Sequence, residues 1–190
     1  MHTQGHAVLN YFLLKNKSNQ TFGIPILAGA TLPGLPLCVL YFYQRHVLGI
    51  SDHVIWTQTY FSKGIWQDSI DLFHSFPILG LGLGVCAFLR SRLGCVFFLS
   101  MLLHSVFDFP FHNADAHRHF FPFSDWKWHS PISYWDPAHY GKIFVLAEFL
   151  VVLSMTIMIW RKGASLSGKV GLIVANLLYL LPLAYCLSHP

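Results

Sequence analysis

The chain has 190 residues with a formal net charge of +4, and 54% of its residues are hydrophobic against 11% charged. A mean hydropathy of +0.50 lies outside the ordinary soluble range, and this length allows one domain. The basic residues are scattered, with no basic stripe carrying interleaved aromatics, which excludes a nucleic-acid surface.

In chain order, residues 3–14 predict a short apolar helix that ends at Lys15-Asn-Lys17. It rises only about 18 Å, enough for a partial span or a surface helix. The opening Met1-His-Thr-Gln-Gly-His6 lacks a basic stretch and a long apolar core before a cleavage site, so a cleaved signal peptide is not expected. Residues 23–43, 72–89, 93–109, 143–160 and 170–187 approach the ~20 residues that cross a bilayer. The expectation is an all-α, polytopic membrane helical bundle of five to six spans, a single integral membrane domain over residues 1–190.

Local composition adds detail. Gly29-Ala-Thr-Leu-Pro33-Gly34-Leu-Pro36 breaks or kinks the second segment, and broken backbone at membrane depth has to be covered by protein or line a cavity. The connection over 44–70, with Trp56, Tyr60, Phe61 and Trp66, predicts an interfacial helix. Gly80-Leu-Gly82-Leu-Gly84 predicts close helix packing, not nucleotide binding. Cys38, Cys86, Cys95 and Cys186 lie in apolar segments without a C-x-x-C pair and read as buried thiols.

Seven Lys/Arg fall in three short acid-free segments, 15–17, 90–92 and 161–169. By the positive-inside rule these face the cytoplasm, with residues 3–14 counted as a span. Both long connections and both termini then face outward across an inner-membrane type bilayer, including a structured, His-rich outer loop over 110–142.

The chemistry concentrates around that loop. Six of the twelve histidines and four of the eight acidic residues lie between Met101 and Gly141. His104 and Asp108 are spaced i, i+4, so a helix sets both on one face, one turn apart. His112, Asp115, His117 and His119 follow and can supply further ligands. Imidazole with carboxylate is the usual donor set for Zn2+ or a similar divalent ion such as Mn2+. The assumed topology puts His6, His74, His104 and Asp108 near one face, with Glu148 about two turns inside. Glu148 lies inside an apolar span, where an ionisable residue either coordinates a cation or pairs with a partner such as Arg118 or Lys142. In the loop, Asp125 and Asp136 read as turn or cap residues, while His129 and His139 read as supporting groups or substrate contacts.

These residues together resemble a family of bacterial membrane-bound metal-dependent hydrolases. That family is distantly similar to the zinc-dependent phospholipase C and single-strand nuclease superfamily. The resemblance rests on His6, Leu32-Pro33, His74-Ser75 and His104-x-x-x-Asp108. It also rests on Asp115-Ala-His117-Arg-His119-Phe-Phe-Pro-Phe-Ser124 and Ser130-Pro-Ile-Ser-Tyr-Trp-Asp136-Pro. It implies a helical zinc-type site that hydrolyses phosphoesters, with His6, His74, His104, Asp108, His112 and Glu148 as ligand candidates. Gly34 stands where the family pattern has an acid, which weakens a two-metal site.

The resulting expectation is a membrane-embedded metal-dependent hydrolase acting on a phosphoester or lipid-linked substrate, with Asp108 or Asp115 as general base. Two alternatives stand beside it. One is a non-catalytic metal-binding or transport protein using His74, His104 and Glu148. The other is a pseudo-enzyme scaffold that lacks the acid at Gly34.

Overall fold

The computed structural model describes residues 1–15, 22–62 and 64–188, except for the side chains from 185 onward. Lys17 and the side chain of Cys186 therefore lie outside the described residues. Every described element is helical: α1 (Thr3–Leu14), α2 (Gly23–Thr31), α3 (Leu35–Phe42), α4 (Asp52–Val54), α5 (Ile65–His74), α6 (Phe76–Phe88), α7 (Arg92–Asp108), α8 (Gly141–Arg161), α9 (Leu166–Leu177) and α10 (Leu180–Ser188).

Among the described residues, four stretches are long and apolar enough to cross a membrane: Gly23–Val47, Arg92–Phe111, Gly141–Arg161 and Leu166–Ala184. A fifth arises if α5 and α6 form one span bent by 51°. The segment expected to run unbroken over 72–89 is thus two helices. Pro77 removes a helical donor, and its ring clashes with the carbonyl four residues back, so α5 stops at His74. Ser75 then starts α6 as its N-cap, its Oγ accepting from the Ile78 N–H at 3.3 Å. α1 has 12 residues and falls short of a span.

Elsewhere the chain obeys its local chemistry. Pro33 and Pro36 convert the middle of the second segment into a 3-10 turn, Leu32–Gly34, between α2 and α3. The 44–70 connection is not one interfacial helix. It comprises a π-helical turn (Tyr43–Val47), α4, a second π-helical turn (Ile55–Thr59) and the start of α5. Trp56 and Phe61 are exposed there, whereas Tyr60 is buried. α6 and α7 join through a tight turn in which Arg90 takes the left-handed conformation (φ 55°), and Ser91 caps α7.

α7 is the central post, packed against α1, α2, α5 and α6. Small residues bring the backbones close: Gly29 of α2 lies against the Phe97 carbonyl, and Gly82 of α6 against the Phe98 ring. Within that triplet, Gly80 and Gly84 face open space, so only Gly82 serves packing. A buried polar link ties three helices. Asn10 Nδ2 donates to the Ser100 carbonyl at 2.8 Å, and Ser100 Oγ donates to the Ile26 carbonyl at 2.7 Å. A second core joins Val8 to Val152, Ile159, Leu172 and Tyr179. The cysteines depart from expectation: Cys38 is exposed, and Cys86 and Cys95 are half-buried.

Candidate metal centre

Asp108 ends α7, one turn past His104, and becomes the focus of side chains drawn from four parts of the chain. His104 Nε2 lies 3.0 Å from Asp108 Oδ2, and His6 Nε2 from α1 lies 2.9 Å from Oδ1. His74 Nε2, at the end of α5, lies 3.6 Å from Oδ2, and His112 Nε2 lies 3.4 Å from Oδ1. The Met1 ammonium also contacts Oδ1. All four imidazoles and the carboxylate are buried. The His6 and His104 rings stack at 3.7 Å, and those of His74 and His117 at 4.1 Å.

The rings are held at their far side. His74 Nδ1 lies 2.7 Å from the Ile70 carbonyl and His104 Nδ1 2.7 Å from the Ala30 carbonyl. His112 Nδ1 lies 2.9 Å from Asp115 Oδ2, to which Trp135 Nε1 also donates at 3.0 Å. For His74 and His104, an Nδ1–H donated to the backbone carbonyl would leave Nε2 as the nitrogen turned toward Asp108, the arrangement of a metal-binding imidazole.

Two groups of three donors each lie within 4.8 Å of one another: His6, His104 and Asp108, and His74, Asp108 and His117. Asp108 belongs to both. These buried His/Asp groups could hold a metal ion. Polar atoms left unpartnered in the same region point the same way: His6 Nδ1, His112 Nε2, His117 Nδ1 and Asp115 Oδ1. An unmatched buried polar atom is costly unless something binds it.

The loop groups have unequal charge states. Burial, reinforced by the neighbouring His74 ring, pushes His117 well below the ordinary imidazole range and His119 down to about 4. Both rings are therefore neutral at pH 7, as ligands must be. Burial also disfavours charge on His112, but Asp108 and Asp115 outweigh it and push His112 up to about 9. For Asp115, burial works against ionisation, and the His112 charge with its hydrogen bond holds the carboxyl below its usual range.

Other expected site residues fall elsewhere. His119 is buried beside the centre, its Nδ1 3.1 Å from the His74 carbonyl and its ring stacked on Phe76, outside both donor groups. Glu148 of α8 accepts from Tyr179 OH at 2.7 Å and from the His2 N–H at 2.9 Å, and lies 3.0 Å from His2 Nδ1. It belongs to neither donor group and does not pair with Arg118 or Lys142. Arg118 instead binds Asp68, Asp71 and Asp125, which raises its already high pKa against the cost of burial. Asp136 caps the short helix Pro137–His139 and lies 2.8 Å from His139 Nδ1. His129 Nδ1 lies 2.8 Å from the Asn113 carbonyl. Gly34 faces Thr3, whose Oγ1 would be 3.0 Å from a Cβ there.

Sequence reasoning passed over Asp71 and His2. Asp71 lies three residues before His74, on the face of α5 that also buries Gln67 and Ile70. That i, i+3 pairing was the available signal. Nothing in the sequence marked His2 as a partner of Glu148. Compared with known proteins, the chain matches no family model, no curated protein and no solved structure.

Proposed function

We propose that this protein is a membrane-embedded metal-dependent hydrolase acting on a phosphoester or lipid-linked substrate at the membrane surface. The reading includes a bacterial inner-membrane location with the His-rich loop facing outward. The observation that carries it is the shared Asp108, buried among imidazoles whose far nitrogens are fixed on backbone carbonyls and Asp115. His6, His104 and Asp108 would hold one ion, and His74, His117 and Asp108 a second, while His112 would join only on losing its proton to the ion's charge. A zinc-type ion supplies Lewis acidity and lowers the pKa of bound water toward ~7.

The chain's own part follows from Asp115. Its Oδ2 is taken by His112 and Trp135, while Oδ1 has no partner. The residue also lines an opening of about 150 Å³ with Tyr60, Gln67, Arg118 and Lys127. Asp115 would be the general base on this reading, its unpartnered Oδ1 being the oxygen that takes the proton. Lys127 at the rim favours approach of an anionic substrate.

The test is metal analysis of protein purified in mild detergent, beside His104→Ala and Asp108→Ala, followed by a phosphoester screen. Bound zinc or manganese in the wild type, lost with hydrolysis in both variants, is the expected result. A metal-free wild type, or variants that keep both metal and activity, would sink the reading.

A further inference from the structure

Where α2 gives way to the 3-10 turn and α3, a groove of about 370 Å³ is lined by Thr3, Ala28, Leu32, Gly34, Leu35 and Cys38, with Thr31 beside them. Gly34 is one of its walls, and the atoms nearest to a Cβ built there belong to Thr3 across the groove. Thr31 Oγ1 donates to its own helix, on the Leu27 carbonyl at 2.9 Å, so this hydroxyl is already satisfied. The remaining lining is largely apolar.

We propose that this groove binds the hydrocarbon chain of a membrane lipid, with the polar end directed toward the His–Asp centre. The occupant follows from position. The groove lies within the apolar stretch Gly23–Val47, whose outer face also exposes Ile24, Leu27, Val39 and Phe42. With that stretch in a bilayer, hydrocarbon surrounds the groove, and an apolar concavity at that depth takes a chain from it. Direction follows from α1. Thr3 begins that helix, and His6, one turn on, contacts Asp108. An amphiphile with its head at the Thr3 wall would have that head three residues along α1 from His6. The inference rests on the membrane-embedded hydrolase reading and narrows its substrate class to a long-chain lipid bearing the phosphoester.

The test uses the full-length protein in phospholipid nanodiscs doped with a phospholipid carrying a diazirine on one acyl chain. Labelled positions are mapped by mass spectrometry. Leu35 and Cys38 should label several-fold more than Ile24 and Val39, which share the stretch and meet bulk lipid. Gly34→Phe should abolish that excess while leaving Ile24 unchanged, and Cys38→Trp, on an exposed position that need not disturb folding, should do the same. Equal labelling at Leu35 and Ile24, unmoved by both variants, overturns the proposal. So does a Cys38–Cys38 cross-link in high yield, which would make the occupant a second copy of the chain. Metal content is measured on the same samples. Groove labelling without bound metal would count against the hydrolase and not the groove, and bound metal without excess labelling would do the reverse.

Discussion

At the scale of single residues, the centre separates side chains that bind from side chains that hold. Asp115 holds His112 through Nδ1. Partners of that kind are worth about 10–100-fold in metal affinity. Asp115→Asn should weaken binding by that order while leaving the stoichiometry intact, as read by competition with a chromophoric chelator. An unchanged affinity would remove Asp115 from the support of the site. Arg118 makes a contrasting case. Asp68 and Asp125 are 51% and 76% exposed, so those two pairs contribute little, but Asp71 is fully buried. Arg118→Met leaves the Asp71 carboxylate without its main partner and should cost about 3 kcal/mol of stability. Thermal unfolding in detergent measures it, and wild-type stability in the variant would refute that cost. The pairing of His104 with Asp108 was legible because helical spacing is rigid. His2 on Glu148 was not, since a contact across 146 positions leaves no local pattern.

At the scale of elements, proline and glycine act by position more than by number. Pro77 splits the expected span at Ser75, which lets α5 end inside the protein with His74 while α6 turns away by 51°. Hydropathy reads both halves as one run because it averages over the break. The glycine triplet of α6 gives a sharper test. A Cβ at Gly82 would collide with the Phe98 ring, while Gly80 and Gly84 have open space. Gly82→Ala should therefore destabilise by about 1–3 kcal/mol through overpacking. Gly80→Ala and Gly84→Ala should be neutral or stabilising by up to about 1 kcal/mol, from helix propensity alone. Equal effects at all three positions, measured by unfolding in mixed micelles, would refute this packing.

At the scale of the whole molecule, the ends of α6 and α7 carry an aromatic cap. Phe76, Phe109 and Phe120 meet there, with Trp126 and Trp128 alongside. Phe123, Trp126 and Trp128 are largely exposed, at the level where two apolar helices finish. Such residues settle at the bilayer–water boundary. Lipids brominated near the headgroup should quench the tryptophan fluorescence strongly, and replacing both Trp126 and Trp128 with Phe should remove most of that quenching. Quenching that is insensitive to the double replacement would place the loop away from lipid. The sequence showed this loop as dense in His and aromatics, and it showed the apolar runs. It did not show the loop's path, which depends on backbone bonds such as Ser130 N–H to the His112 carbonyl and Tyr134 N–H to the Phe111 carbonyl. The carbonyls of Ile70 and Ala30 that orient His74 and His104 extend this point to inheritance. An anchor made of main chain survives any replacement that keeps the helix and fits the space, so positions 30 and 70 can drift in identity without blinding the rings they aim. On the proposed reading, the His and Asp side chains themselves are then the places where a single substitution would silence the centre.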